Sequence, residues 1–224
     1  MLTAADQDYV KAVFRLQSLG RTVSTSSLAS LLGVTPASVS GMLRKLSRSK
    51  LLVHRRYRGA RLTARGRRAA IEIIRRHRLV ELFLVEVLKL PWDIVHEEAE
   101  KLEHAISDSV LDRIDELLGY PEFDPHGAPI PPSGGSFVDV RGTRLDRIEP
   151  GLVGRVCQVG DDDPAILRYL SETGLVPGAK VCIRDRLAFD GTVVLEVSGQ
   201  RFNISPKVAS AVWIEADKKK KKSK

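Results

Sequence analysis

The chain has 224 residues, of which 43% are hydrophobic and 29% are charged. This composition is typical of a globular protein with one large domain or two to three small ones. The longest apolar stretch, residues 79–92, is interrupted by Glu81, Glu86 and Lys89, so no segment is predicted to cross a bilayer. The N-terminus has no basic flank, apolar core or cleavage site, and we therefore expect a cytoplasmic protein.

The formal net charge of +8 is unevenly distributed along the chain. Basic residues exceed acidic ones by 14 in residues 1–80, acidic residues exceed basic ones by 12 in residues 81–217, and the tail adds 6 lysines. The first part suits a phosphate backbone, and the second is able to hold cations. The two cysteines, Cys157 and Cys182, lack any metal-binding spacing and are interpreted as small core residues.

The N-terminal part reads as a winged helix-turn-helix. Apolar spacing predicts a helix over residues 5–19, and two further helices follow in residues 26–34 and 35–52. Thr35 followed by Pro36 is a strong helix-start signal. Residues 51–66 then place two apolar strands around an Arg-rich tip with Gly59 at the bend, which indicates a hairpin.

The rest of the chain is predicted to be helical and then β-structured. Residues 65–87 form one helix, and residues 93–118 form a second, whose apolar stripe (Leu102, Ile106, Val110, Ile114, Leu117) suits a dimer interface. Residues 120–142 are rich in Pro and Gly and read as a loop and linker. Beyond residue 147, short β-type runs and one helix at 164–174 indicate a small barrel, followed by a disordered lysine tail. The predicted fold class is mainly α with a C-terminal all-β domain.

The predicted second helix of the helix-turn-helix carries the residues expected to read DNA. Its N-terminal end has small and hydroxyl side chains, which suit thymine methyls and single hydrogen bonds rather than bidentate guanine contacts. These residues are Thr35, Pro36, Ala37, Ser38, Ser40 and Gly41. Phosphate contacts are assigned to Arg44, Lys45, Arg48, Arg55, Arg56, Arg58 and Arg61. The alternative is a solvated basic face that contacts another protein.

Histidines and carboxylates recur at helical spacing in the central segment. His77 and Glu81 are four residues apart, and one helix face is expected to carry His96, Glu100, Glu103 and His104. Asp8 from the first helix would complete a shell of nitrogen and oxygen donors, which favours Mn²⁺ or Fe²⁺. The alternative for each pair is a surface salt bridge.

A zinc hydrolase is the rival interpretation, because residues 96–100 (HEEAE) begin like a zincin helix. That motif requires histidine where Glu100 stands. The sequence also has no GxSxG, phosphate-binding loop or GxGxxG motif, so we expect no enzymatic activity.

Four segments together resemble the diphtheria toxin repressor family of iron- and manganese-dependent regulators. They are RRHRLVELFL, IVHEEAEKLEHAISD, FDPHGAPIP and LRYLSETGLVPGAKV. The resemblance implies a DNA-binding domain (1–73), a helical dimerisation and metal domain (74–128), a linker (129–146) and an SH3-like domain similar to ferrous-transport protein A (147–217), before the lysine tail (218–224). It also implies a homodimer on double-stranded operator DNA that represses metal-uptake genes, with no membrane or small organic ligand as partner.

The resemblance further implies two metal sites and one or two ions per subunit. The primary site would be Asp8, Glu100, Glu103 and His104, and the ancillary site His77, Glu81 and His96. Asp8 and Glu100 replace the Met and Cys of iron-type members and resemble the manganese branch, whereas Lys11 stands where that branch has a second acidic ligand. Further candidate ligands are Asp124, His126, Asp161 and Asp162.

Two other functions remain open from the sequence. One is an iron-preferring form of the same switch. The other is a non-catalytic metal-binding scaffold whose basic half binds DNA without sequence preference.

Overall fold

The structure is a computed structural model that describes residues 2–55, 59–133 and 141–217. The chain forms two compact units. The first comprises residues 1–77, 103–106 and 131–137, and the second comprises residues 78–102, 107–130 and 138–224.

Three helices and a hairpin form most of the first unit, as the sequence predicts. The helices are α1 (Ala4–Ser18), α2 (Thr25–Leu32) and α3 (Pro36–Arg48). Each starts at a hydroxyl N-cap: Thr3, Ser24 and Thr35 accept a hydrogen bond from the backbone three residues later. The apolar faces of these helices meet in one core, whose largest fully buried side chains include Phe14, Leu28, Leu43 and Leu46.

The hairpin consists of β1 (Leu52–Arg55) and β2 (Gly59–Leu62), paired antiparallel with Leu52 opposite Leu62. Gly59 has a φ of 74°, and a Cβ atom there would lie 2.5 Å from the Val23 carbonyl oxygen. Glycine is therefore required where the hairpin passes residue 23. The hairpin tip, with the predicted phosphate contacts Arg56 and Arg58, lies outside the described residues.

The long helix α4 (Ala64–Glu86) begins in the first unit and ends in the second. The second unit continues with α5 (Val95–Leu102) and α6 (Asp108–Leu117). The single helix expected over residues 93–118 is therefore wrong. The Ser107 side chain accepts a hydrogen bond from the Val110 amide and starts a new helix, while residues 103–106 form turns that belong to the first unit.

The predicted apolar stripe is consequently divided between α5 and α6. Ile114 is buried, whereas Leu102, Val110 and Leu117 are 38%, 49% and 64% exposed. These three side chains remain available for the dimer interface, which stays a prediction.

The C-terminal part of the second unit is a six-stranded antiparallel sheet in the order β3-β8-β4-β5-β6-β7. Its strands are β3 (Thr143–Arg144), β4 (Val153–Val159), β5 (Lys180–Arg186), β6 (Val193–Val197), β7 (Gln200–Ile204) and β8 (Val212–Ala216). Helices α7 (Pro164–Glu172) and α8 (Pro206–Ala209) accompany the sheet, and α7 buries Leu167 and Leu170 in its core. The predicted fold class is confirmed. The cysteines lie on β4 and β5 and are partly buried.

Within the described residues, no single helix is long and apolar enough to span a membrane; α2 and α3 satisfy that criterion only as a pair, bent by 109°.

Two helical glycines provide a matched test of this packing. A Cβ atom on Gly66, in the first turn of α4, would lie 1.8 Å from the Leu51 carbonyl oxygen, whereas a Cβ on Gly41 in α3 meets nothing within 4 Å. We expect Gly66→Ala to lower the free energy of unfolding by about 1–3 kcal/mol through this collision. Gly41→Ala should raise it by about 0.5–1 kcal/mol, because alanine loses less backbone entropy. Urea denaturation followed by circular dichroism measures both, and equal effects would contradict the geometry.

Candidate metal centres and nucleic-acid interface

Asp8, Glu103 and His104 come together in the first unit and are called the first cluster. Asp8 lies on α1, and the other two follow the end of α5. The His104 Nε2 atom is 3.0 Å from Asp8 Oδ1 and 3.6 Å from Glu103 Oε1. One imidazole nitrogen and two carboxylates therefore converge on a common point.

Gln7 orients the histidine of this cluster. Its side-chain oxygen accepts a hydrogen bond of 3.0 Å from His104 Nδ1. An amide oxygen only accepts, so in the neutral imidazole Nδ1 carries the proton and Nε2 carries the lone pair. That lone pair faces the two carboxylates, which is the orientation a metal ligand needs.

Glu103 also belongs to a buried ion network. Its carboxylate is fully buried and lies 2.8 Å from Lys11 Nζ and 2.5 Å from His77 Nδ1. Burial by itself would raise the pKa of Glu103, but the hydrogen bonds and charges of His77 and Lys11 outweigh it and lower the pKa. Glu103 is thus an anion whose charge is already balanced by the protein.

Two predicted ligands, His77 and Glu100, each also contact a residue assigned to the other site. His77, grouped with Glu81 and His96, contacts Glu103 in the first unit. Glu100, grouped with the primary site, belongs to the second unit, where its Oε1 is 3.8 Å from His96 Nε2. The assignments of His77 to the ancillary site and of Glu100 to the primary site stay predictions.

The second cluster lies entirely in the second unit and joins five side chains: Glu81, His96, Asp124, His126 and Asp161. The His96 Nδ1 atom is 3.1 Å from Glu81 Oε1 and 3.5 Å from Asp161 Oδ2. Burial would lower the pKa of His96, but hydrogen bonds and charge interactions with Asp161 and Glu81 outweigh it and raise the pKa to about 11. Without a bound cation, His96 therefore carries a proton at neutral pH.

His126 presents an unsatisfied nitrogen to this cluster. Its Nε2 donates a 2.9 Å hydrogen bond to the Trp92 carbonyl oxygen, so the lone pair of the neutral ring lies on Nδ1. Nδ1 is buried, has no hydrogen-bond partner within the described part of the chain, and lies 4.0 Å from Glu81 Oε2. A buried polar atom without a partner is costly, and a cation beside Glu81 would satisfy it.

Asp124 holds the turn that presents His126. Its Oδ1 accepts hydrogen bonds from the backbone amides of His126 and Ala128, and its Oδ2 is 3.4 Å from Arg78 Nε. Burial and the charge of Glu81 raise the pKa of Asp124 to about 7. A bound cation at this position would favour the ionised form of Asp124. The remaining candidate, Asp162, is exposed, and its atoms are not among those gathered in either cluster.

Both clusters suit a divalent first-row metal ion. Their donors are imidazole nitrogens and carboxylate oxygens, and neither contains a thiolate. Such donor sets match Mn²⁺ and Fe²⁺ by ligand hardness. The oriented lone pairs of His104 and His126 support the same conclusion.

The predicted DNA-reading residues occupy the outward side of α3. Thr35, Pro36, Ala37 and Ser38 are exposed, while Ser40 and Gly41 are half-buried. The Ser40 hydroxyl donates to the Pro36 carbonyl oxygen, so its accepting lone pairs remain for a base edge. The predicted phosphate contacts Arg44, Arg48, Arg55 and Arg61 are exposed.

Lys45 has a partner that the sequence did not indicate. Its Nζ is 2.7 Å from Asp6 Oδ1 on α1. Burial would raise the pKa of Asp6, but hydrogen bonds from Lys45 and Thr3 outweigh it and lower the pKa. Neither the Asp6–Lys45 ion pair nor the Gln7–His104 hydrogen bond has a sequence signature, because each joins segments that are distant in the chain.

Comparison with known proteins identifies three successive family matches. "Iron dependent repressor, N-terminal DNA binding domain" matches residues 1–60, "Iron dependent repressor, metal binding and dimerisation domain" matches residues 63–132, and "FeoA domain" matches residues 143–216.

One curated relative and one solved structure span nearly the whole chain, and a second relative covers about half of it. The iron-dependent repressor IdeR of Mycobacterium leprae is 30% identical, over 92% of this chain and 95% of its own length. The regulator MntR of Bacillus subtilis is 32% identical, over 55% of this chain and 87% of its own length. The solved structure of a manganese-dependent transcriptional repressor in complex with manganese is 37% identical, has a TM-score of 0.89, and covers 95% of this chain and 100% of that one. The chain therefore belongs to the diphtheria toxin repressor family of metal-dependent transcriptional repressors.

Proposed function

We propose that this chain is a Mn²⁺-activated repressor of metal-uptake genes that binds double-stranded operator DNA as a homodimer. The observation that carries the proposal is the first cluster. It joins Asp8, on the first helix of the DNA-binding fold, to His104, whose Nε2 lone pair Gln7 aims at the Asp8 carboxylate. The chain's likeness to a manganese-dependent repressor supports the choice of ion.

The first cluster converts metal binding into a restraint on α1. A bound divalent ion supplies positive charge that Asp8, Glu103 and His104 share. Asp8 is on α1, and the other two ligands are on a different segment. An ion bound to both segments therefore restricts the movement of α1 relative to residues 103 and 104. In the proposed dimer this restraint fixes two copies of α3 at a separation of one turn of DNA, about 34 Å.

The second cluster would bind a further ion and restrain a different part of the chain. Glu81 and His96 come from helices, Asp124 and His126 come from a tight turn, and Asp161 precedes α7 of the sheet domain. An ion held there joins the helical segment to the sheet domain within the second unit.

The donor set fits manganese and iron alike, and one comparison supports iron as the second candidate ion. The described ligands are nitrogen and oxygen atoms only, without thiolate or thioether. Mn²⁺ and Fe²⁺ both accept such ligands, with softer metals disfavoured by ligand type. The iron-dependent IdeR proteins match the chain over nearly its full length, so an iron-preferring repressor is the second candidate.

Removing Asp8 tests the role of the first cluster. Metal and operator binding are coupled by about 1–3 kcal/mol in typical switches, so metal should tighten operator binding of the wild-type protein about 5- to 150-fold. We expect Asp8→Ala to abolish most of that gain, because the ion no longer restrains α1. Fluorescence anisotropy with a labelled duplex, selected from a random library by the metal-loaded protein, measures the gain.

Glu72→Ala is the matched control for this variant, because Glu72 is an exposed acidic residue on α4 of the same unit. It should retain the metal response. A full metal response in Asp8→Ala would refute the proposed switch.

Metal preference is tested by titrating Mn²⁺ and Fe²⁺ anaerobically against the protein and the same duplex, with a scrambled duplex beside it. We expect half-maximal operator binding at a lower free concentration of Mn²⁺. A lower value for Fe²⁺ would select the iron-preferring candidate. Equal binding of both duplexes with and without metal would exclude a repressor of either kind.

His96 gives a pH-dependent prediction for the second cluster. Since its pKa is about 11 without a cation, a metal ion that binds its imidazole must displace a proton at pH 7.5. Metal affinity at this cluster should therefore fall about tenfold for each unit decrease in pH. Calorimetry in buffers of different ionisation enthalpy counts the released protons. His96→Gln should release about one proton fewer than the wild-type protein, and an unchanged count would mean that His96 is not a ligand.

A further inference from the structure

The Asp6 carboxylate is a rigid acceptor at the start of α1. Its side chain is 7% exposed, and its Oδ2 accepts a 3.1 Å hydrogen bond from the Thr3 amide. The Thr3 hydroxyl in turn accepts from the Asp6 amide, which completes a capping box. The carboxylate is therefore held in one orientation by the helix start itself.

This carboxylate holds the Lys45 ammonium group at 2.7 Å. The Lys45 side chain is still 52% exposed, so part of its ammonium faces solvent. An ammonium group has three N–H donors, and a single carboxylate oxygen leaves others for a phosphate. Asp6 thus restricts the lysine without enclosing it.

Lys45 lies beside the outward face of α3. Ala37, Gly41, Arg44 and Arg48 follow one another at four- and three-residue spacing and therefore share a face opposite the buried Val39, Leu43 and Leu46. Lys45 follows Arg44 directly and so stands at the edge of that face. A lysine at such an edge is placed to reach the DNA backbone rather than a base.

We propose that Asp6 is a positioning residue for operator binding, which orders Lys45 for a phosphate contact and connects α1 to the DNA-reading helix. An unrestrained lysine side chain loses conformational entropy when it contacts a phosphate. A residue that orders the side chain beforehand reduces that loss. The acidic charge of Asp6 costs little, because Lys45 neutralises it. The inference rests on the proposed function, since it assigns Lys45 to operator DNA.

The same arrangement relates metal binding to DNA reading. Asp6 and Asp8 are two residues apart on α1, and they contact different partners, Lys45 on α3 and His104 after α5. A restraint on α1 at Asp8 therefore also restrains the carboxylate that orders Lys45. The Asp6–Lys45 ion pair is a route by which occupancy of the first cluster affects α3.

Asp6→Asn tests this assignment with little change in shape. The asparagine oxygen can still accept the Thr3 amide hydrogen bond, so the capping box remains while the charge is lost. Glu72→Gln is the matched control, because it removes one negative charge from an exposed position in the same unit. Operator and scrambled duplexes are titrated by fluorescence anisotropy with saturating Mn²⁺, at several salt concentrations.

Two physical effects have opposite signs in this experiment. Simple electrostatics predicts that either variant binds all DNA more tightly, because the protein becomes more positive. If Asp6 positions Lys45, only Asp6→Asn should weaken operator binding, by about 3- to 10-fold. It should leave binding to the scrambled duplex unchanged or tighter. Operator binding by Asp6→Asn as tight as wild type would overturn the proposal.

Lys45→Met gives a second, independent readout. Losing a phosphate contact should reduce the slope of log affinity against log salt by about 1. In the Asp6→Asn background, Lys45→Met should cost less than it does alone, because the lysine is no longer ordered. Additive losses would mean that the two residues act separately and would refute positioning.

A metal-binding measurement distinguishes a failure of this inference from a failure of the proposed function. Calorimetry with Mn²⁺ alone, without DNA, should give the same affinity for Asp6→Asn as for wild type. If wild-type protein binds the operator equally with and without metal, the proposed function has failed. If wild type responds to metal and Asp6→Asn retains the full operator affinity and response, only the role of Asp6 has failed.

Discussion

The buried carboxylate of Glu103 is the interaction on which the geometry of the first cluster depends. An uncompensated buried charge is very costly, so Glu103 requires both Lys11 and His77 as partners. Those partners are on α1 and α4, and Glu103 meets them from the turn that follows the end of α5 at Leu102. The same turn places His104 beside Asp8. The buried ion network and the histidine of the first cluster therefore share one turn of the chain.

Both clusters use the same device to prepare a histidine for metal binding. A neutral oxygen, in the side chain of Gln7 or the carbonyl of Trp92, accepts a hydrogen bond from one protonated ring nitrogen. The other nitrogen then presents its lone pair to carboxylates, in His104 as in His126. This hydrogen bond selects the tautomer before any ion arrives, which reduces the reorganisation that binding requires. His96 differs, because Asp161 and Glu81 favour the imidazolium, so that a metal ion must compete with a proton for its ring.

Local patterns in the sequence predict most of the fold. Hydroxyl N-caps, the Thr35-Pro36 start and alternating β-runs depend on neighbouring residues, and the helices α1 to α3 and the sheet agree with them. The break after α5 was not predictable from periodicity, because its apolar stripe fits one continuous helix as well as two. The contacts of Gln7 and of the Asp6–Lys45 pair could not be predicted from the sequence for a related reason. Their function arises from contacts between segments 97 and 39 positions apart, which no spacing rule connects.

Two of the few acidic residues in the DNA-binding part of the chain are placed against specific partners. Residues 1–80 contain three acids, Asp6, Asp8 and Glu72. A negative charge near DNA opposes binding to phosphates, so an acid in this region needs a compensating contact. Asp6 has Lys45, and Asp8 has His104. Two of the three acids thus lie on the first helix, each against a cationic or ionisable partner from another segment. In the proposed switch, α1 is the element that both the metal and the DNA-reading helix contact through charge, and a restraint applied at one of these contacts must change the free energy of the other.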